Sequence, residues 1–277
     1  MLTSLRSHWP EYLMEGAELG IFMAVAGSFA TLFNAPVSPV VAVIPSSFLR
    51  SVMMGCTMGI TAISVIYSPW GKRSGAHFNP AVTLAFYRLG KLQGWDALFY
   101  VLAQFVGGLA GILLVAAVLG EPFTSLPVHY IVTIPGAGGW LAALVAEFVL
   151  ASGLMLAILV FSNHDRLHER TGIFAGMLVA LFIIVGGPIS GMSINPARTF
   201  ASALPAHVWT AFWVYYAAPP AGMLLAAEFY LQRSRQHPKT LCGKLCPNAE
   251  TRCICLDCPC QDMPTPAERP QIDPIER

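Results

Sequence analysis

The chain carries the tripeptide Asn-Pro-Ala twice, each time within a longer matching phrase. The segments 74–81 and 190–197 agree at five of eight positions and lie 116 residues apart. Asn is a favoured helix N-cap, and Pro in the first helical turn loses no hydrogen bond because its N–H would be unpaired there. Each tripeptide therefore predicts the start of a helix. The predicted caps and first-turn residues are Asn79, Pro80, Ala81, Asn195, Pro196 and Ala197.

Two such helix ends, placed together, have a definite chemistry. A helix N-terminus carries roughly half a positive charge, and an Asn amide adds an N–H donor. The pair orients a neutral molecule that has lone pairs and repels a cation or hydronium. Arg198 directly follows the second cap and adds a permanent positive charge that could project into the same passage. The alternative for Arg198 is a loop arginine held in a salt bridge.

The composition places these motifs in a membrane. Of the 277 residues, 55% are hydrophobic and 11% charged, whereas a soluble domain carries roughly 25% charged residues. No basic stripe suggests a nucleic-acid partner. Six stretches are long enough to cross a hydrocarbon core of about 30 Å: residues 12–33, 46–67, 95–119, 139–161, 172–188 and 209–231. Two shorter apolar segments, 79–88 and 195–204, follow the caps and predict re-entrant half-helices.

Charge and repeat patterns predict the topology. Lys and Arg favour cytoplasmic loops. Here they cluster between spans 2 and 3, between spans 4 and 5, and after span 6, which lie on the same side of the membrane: Lys72, Arg73, Arg88, Lys91, Arg166, Arg170, Arg233, Arg235 and Lys239. Both termini are therefore expected in the cytoplasm, at an inner or plasma membrane. Three spans per half make the duplication an inverted repeat. Gly55 and Gly59 correspond to Gly172 and Gly176, and small residues four apart let helices pack closely in lipid.

These motifs resemble the major intrinsic protein (aquaporin) family over about residues 10–232. The resemblance is carried by residues 74–83 and 195–198, Ala-Gln at 103–104 and Tyr-Tyr-Ala-Ala-Pro at 215–219. It implies an all-α membrane protein with six transmembrane helices and two half-helices. It also implies a pore through each subunit and usually a homotetramer in the lipid bilayer.

The resemblance further implies a narrow pore ring drawn from Met58 or Gly59, Ile183, Met192 and Arg198, followed by Thr199. Water-selective members share a Phe and a His at the first two positions, and neither is present. Glycerol-type members have an aromatic wall and an Asp after the arginine, which this chain lacks. We therefore expect a passive channel for water or small uncharged solutes (glycerol, urea, ammonia or neutral metalloid hydroxides), without a choice among them.

Three glutamates and a histidine lie within or beside the apolar segments. By resemblance, Glu147 and either Glu15 or Glu18 hold backbone N–H groups of the re-entrant loops, with a proton relay as the alternative. His77 is expected to line the inner vestibule or to bond loop backbone, with gating or pH sensing as the alternative.

Residues 1–233 are predicted to form the channel and residues 234–277 a cytoplasmic tail. The tail holds six cysteines: Cys242, Cys246, Cys253, Cys255, Cys258 and Cys260. Disulfides are disfavoured in the cytosol, and packed thiolates can bind zinc, copper(I) or an iron–sulfur cluster. The spacing fits no zinc-finger template closely, and redox or lipid attachment are the alternatives. The tail could tie channel opening to metal or redox state.

Two other functional classes are weighed against a channel. Inverted repeats with broken helices also build secondary transporters, but no acidic residue lies near the Asn-Pro-Ala motifs. The membrane region offers no nucleophile–base pair and no cluster of metal ligands. We therefore expect no enzymatic activity, and no cofactor for transport itself.

Overall fold

The computed structural model describes residues 1–234 and 241–258. Arg235, Lys239 and Cys260 lie outside this range. Every regular element of the described residues is helical. The α-helices are α1 (Leu2–Asn34), α2 (Pro39–Val43), α3 (Ser47–Tyr67), α4 (Pro69–Ser74), α5 (Pro80–Arg88), α6 (Gly94–Leu119), α7 (Glu121–Thr124), α8 (Gly139–Ser162), α9 (Thr171–Ser190), α10 (Pro196–Ala206) and α11 (Phe212–Ser234), with 3₁₀ turns at His129–Ile131 and His168–Arg170.

All six predicted spans are long helices, and both predicted half-helices are present. The largest difference is at α1, which begins at Leu2 rather than near residue 12. Within the described residues, five helices are long and apolar enough to cross a membrane. The sixth, α11, has 23 residues, enough for about 35 Å at 1.5 Å per residue. It is less apolar because it includes Pro219, Pro220, Glu228, one Trp and three Tyr residues.

The outer surface of the bundle is apolar. Ile60, Val106 and Val118 are 64%, 70% and 73% exposed, and similar side chains cover the outward faces of the other long helices. An exposed apolar surface of this extent is unfavourable in water but matches the hydrocarbon of a bilayer. The protein is therefore an integral membrane protein.

The two halves pack in the same way, as the predicted duplication requires. Helix α1 packs along α6 in the first half, and α8 packs along α11 in the second. Helices α3 and α9 cross the middle and join the halves. Each half-helix packs against the other half, α5 on α11 and α10 on α6. This exchange brings the N-terminal ends of α5 and α10 to the centre of the bundle.

Glycines let the paired backbones touch. A Cβ atom added to Gly59 would lie 2.7 Å from the carbonyl oxygen of Gly176, and one added to Gly176 would lie 2.6 Å from that of Gly59. The same holds between α1 and α6, where a Cβ on Gly107 would lie 1.9 Å from the carbonyl oxygen of Gly16. The predicted packing role of these small residues is confirmed.

Replacing Gly59 with Ala should therefore separate α3 from α9 and lower stability by about 1–3 kcal/mol, the usual cost of overpacking. Gly153→Ala is the matched control, because a Cβ there meets only the Phe182 ring at 3.8 Å. The measurement is the thermal unfolding midpoint in detergent. Equal midpoints for the two variants would contradict the close packing of α3 on α9.

Candidate permeation site

Two re-entrant loops lead into the half-helices with the same irregular backbone. Gly75 and Gly191 have φ values of 106° and 76°. Phe78 and Ile194, just before the caps, have φ values of 29° and 46°. Non-glycine residues adopt such conformations only when surrounding contacts impose them. The repetition of this rare backbone extends the internal duplication to the loops.

A buried carboxylate holds each loop in this shape. Glu15 accepts from the backbone N–H groups of His77 at 2.8 Å and Phe78 at 2.7 Å. Glu147 accepts in the same way from Ser193 at 2.8 Å and Ile194 at 2.5 Å. Glu15, and not Glu18, is thus the residue in the first half that is equivalent to Glu147 in the second.

Further contacts anchor the loops. Glu18 accepts a hydrogen bond from Ser74 Oγ at 2.8 Å rather than from loop backbone. The hydroxyls of Tyr100 and Tyr215 donate to the carbonyl oxygens of Ser74 and Ser190, both at 2.6 Å. These bonds occur at equivalent places in the two halves. These bonds therefore hold the strained loops in a fixed conformation.

The two capping asparagines join the half-helices end to end. The Oδ1 atom of Asn79 accepts from the backbone N–H of Ala81 at 2.9 Å, and that of Asn195 accepts from Ala197 at 3.1 Å. Their Nδ2 atoms cross between the loops. Asn79 donates to the carbonyl oxygen of Ile194 at 2.8 Å, and Asn195 donates to that of Phe78 at 2.9 Å. One N–H of each amide is therefore engaged, and the second is left for a solute.

Both asparagines face an elongated cavity of about 200 Å³. Its apolar wall comes from every fourth residue of the two central helices: Met54, Met58, Ala62 and Ile66 of α3, and Ala175, Val179, Ile183 and Gly187 of α9. Its polar groups are few and include His77, Asn79, Asn195 and Arg198. A narrow apolar cavity with a few hydrogen-bond donors in its wall can hold small molecules in single file.

The structure brings together most of the predicted pore residues. Met58, Ile183, Met192, Arg198 and His77 all line the cavity. Two predicted residues do not. Gly59 faces Gly176 in the α3–α9 contact, so Met58 rather than Gly59 lines the cavity. The hydroxyl of Thr199, in α10, is hydrogen-bonded to Ser193 Oγ of the second re-entrant loop at 2.5 Å.

The sequence reasoning missed much of the cavity wall, including Phe22, Met54 and Leu245. Met54 could have been found, because it lies one helical turn before Met58. Leu245 belongs to the tail, and no sequence signal connects it with the cavity.

Arg198 lies in the first turn of α10, at the cavity wall. Its Nη1 atom donates a hydrogen bond to the hydroxyl of Thr133, in the connection between α7 and α8. Thr133 is itself buried. Among the described residues the guanidinium thus bonds a neutral hydroxyl and forms no salt bridge, although Glu147 lies near enough to interact with its charge.

The described tail cysteines are buried: Cys242, Cys246, Cys253, Cys255 and Cys258. Burial raises the pKa of the Cys246 thiol, which favours the neutral form over the thiolate that binds metal. Within residues 1–234 and 241–258, no group of three or more His, Cys, Asp or Glu is placed to hold a metal ion. The predicted metal site includes Cys260, which lies outside the described residues, so it stays a prediction.

An all-helical membrane bundle, with two half-helices meeting beside a narrow internal cavity, defines a pore-type protein. The chain belongs to the major intrinsic protein family, whose family model matches residues 8–230. The resemblance predicted over residues 10–232 is confirmed.

Similar sequences agree with this membership, and a solved structure shares the fold. The chain is 37% identical over 185 residues to "Probable aquaporin NIP-type" of Nicotiana alata, covering 66% of each chain. It is 36% identical to aquaporin NIP1-3 of Oryza sativa subsp. japonica, over 63% of this chain and 59% of that one. The match thus spans less than two thirds of these relatives. The aquaglyceroporin of Plasmodium falciparum superimposes with a TM-score of 0.66 and 19% identity, covering 81% of this chain and 96% of that one.

Proposed function

We propose that the protein is a passive channel for water and small uncharged solutes. The observation that carries this proposal is the meeting of two Asn-capped helix ends at the wall of one cavity, linked by crossing bonds at 2.8 and 2.9 Å. A solute passing this point meets two amide donors and two electropositive helix ends, which stabilise a lone pair and disfavour a cation. Arg198 adds a full positive charge to the same wall.

The chemistry of the lining suits several solutes. The rows from α3 and α9 are aliphatic or thioether side chains, so a solute there forms few hydrogen bonds outside the Asn and Arg positions. Water, glycerol, urea, ammonia and neutral metalloid hydroxides all fit this description. Ions do not, because they would lose hydration without replacement.

A secondary transporter is the alternative. Carriers with inverted repeats bind a coupling ion at the broken helices. Among the described residues that line the cavity, no Asp or Glu is present. Glu15 and Glu147 are occupied with loop N–H groups, so the cavity has no evident coupling site.

The proposal includes a setting in the cell. The Lys and Arg distribution places both termini in the cytoplasm, and family kinship favours a homotetramer in an inner or plasma membrane. In this orientation, the end of the bundle that carries the tail faces the cytoplasm and the Arg198 end faces outward.

Stopped-flow light scattering of proteoliposomes tests the proposal. A channel gives water or glycerol flux that is linear in the gradient, whereas a carrier saturates and needs a co-ion. Gly187→Leu is the pore-specific variant, because Gly187 lines the cavity and a Cβ there meets no atom within 4 Å. We expect this variant to fall to the flux of protein-free liposomes. Gly153→Ala should keep the parent flux, and an unblocked Gly187→Leu would refute the assigned pathway.

A further inference from the structure

Residues 241–258, called the tail segment below, lie across one end of the bundle. The backbone N–H of Leu245 donates to the carbonyl oxygen of Gly75 in the first re-entrant loop, at 3.0 Å. The N–H of Cys242 donates to Oδ1 of Asn163, just after α8, at 3.0 Å. The N–H of Leu256 donates to the carbonyl oxygen of Lys91, between α5 and α6, at 2.9 Å. The tail segment is thus fastened at three separate points around this end of the bundle.

The mouth of the cavity lies beneath the tail segment, at the end of the bundle where these hydrogen bonds form. The Leu245 side chain lines the cavity and is only 3% exposed. Beside it, Nε2 of His77 donates to the carbonyl oxygen of Gly243 at 3.0 Å, so the tail segment takes the hydrogen bond that a vestibule water would otherwise accept. The Leu245 side chain therefore occupies the position through which a solute would enter the cavity.

A buried lysine locks this arrangement. Lys244 is fully buried, and its Nζ donates to the carbonyl oxygen of Lys72 at 2.8 Å. It also lies 3.2 Å from the hydroxyl of Thr251 and 3.2 Å from the carbonyl oxygen of Arg252. An ammonium ion is costly to bury unless its donors are paired, and here all three have acceptors. One acceptor is in the channel and two are in the tail segment, so Lys244 ties the two together.

The underside of the tail segment packs as a continuation of the channel core. Its five described cysteines, with Leu241, Leu245 and Ile254, belong to the same buried cluster as Ile66, Leu154 and Ile158 of the bundle. Neutral thiols behave as small hydrophobic groups in such a cluster. The docked segment therefore buries apolar surface of its own and of the mouth.

We propose that the tail segment is an autoinhibitory cap, with Leu245 as the plug of the pore and Lys244 as its latch. The proposal rests on the proposed channel function. The capped channel conducts little, and release of the tail segment opens the cytoplasmic mouth. Closure depends on apolar packing and on the latch.

Water flux is compared for the full chain and four variants in proteoliposomes. Removal of residues 235–277 should raise the flux per channel at least severalfold. Lys244→Met removes the ammonium donors of the latch, whereas Asn248 and Thr251 still donate to the carbonyl oxygen of Lys72, so it should raise the flux severalfold. Arg166→Met is the matched control, because it loses the same charge from an exposed side chain outside the latch and should match the full chain. Leu245→Ala should raise the flux while leaving the cap docked.

Thiol alkylation reports docking independently of flux. In a Cys56→Ser, Cys260→Ser background, the five buried thiols should react slowly in the parent and in Leu245→Ala, and quickly in Lys244→Met. Equal, measurable flux in the full and shortened chains would overturn the cap and leave the channel intact. Flux at the protein-free level in every variant would overturn the channel and the cap together.

Discussion

Replacing Glu147 with Gln is expected to cost roughly 3 kcal/mol or more of stability. The carboxylate accepts from the N–H groups of Ser193 and Ile194 and from the hydroxyl of Ser190, at 2.8, 2.5 and 2.7 Å. An amide keeps one acceptor oxygen and turns an NH₂ group towards a backbone donor. A buried donor left unpaired costs about 1–3 kcal/mol, and bonds to a charged acceptor are worth more than neutral ones.

The measurement is the thermal unfolding midpoint in detergent, with Glu18→Gln as the matched control. Glu18 is equally buried but accepts one recorded hydrogen bond, from the hydroxyl of Ser74, which can rotate towards an amide oxygen. The control should lose under about 1 kcal/mol. Glu15→Gln should behave as Glu147→Gln does, since Glu15 accepts from two loop N–H groups in the same way. Similar midpoints for Glu18→Gln and Glu147→Gln would show that loop anchoring is not the role of Glu147.

Replacing Arg198 with Ala is expected to raise cation leak by about two orders of magnitude. A permanent charge about 5 Å from a passing cation, at an effective dielectric of about 20, repels it by roughly 3 kcal/mol. The side chain lies at the cavity wall and is held by the hydroxyl of Thr133. The half-helix ends retain their partial positive charge in the variant, so exclusion should weaken without vanishing.

Leak is followed in liposomes with a pH-sensitive dye and an imposed potential, and is normalised to water flux. Arg198→Lys is the control, because it retains the charge at nearly the same place. Thr133→Val tests the position of the guanidinium instead, because it removes the hydroxyl that holds Arg198 and leaves the charge. If Arg198→Ala and Arg198→Lys leaked equally, charge repulsion would not be the cause of ion exclusion.

The sequence by itself determined the helical framework and the ends of the half-helices. Cap preference, the position of proline in the first turn and hydrophobic length act within a few residues, so they can be read locally. This is why α5 and α10 begin at Pro80 and Pro196, directly after the predicted caps. The glycine pairs were readable for a related reason, because only a missing Cβ permits the backbone contact seen between Gly59 and Gly176.

Tertiary structure decided which of several equivalent residues acts. Glu15 and Glu18 lie almost one turn apart on the same side of α1, and only the position of the first re-entrant loop selects Glu15 for its N–H groups. In α3, Met58 faces the cavity, whereas its neighbour Gly59 packs against α9. The docking of the tail segment depends on contacts more than 160 residues apart, such as that of His77 with Gly243. Contacts between distant residues leave no local pattern, so only the folded chain reveals them.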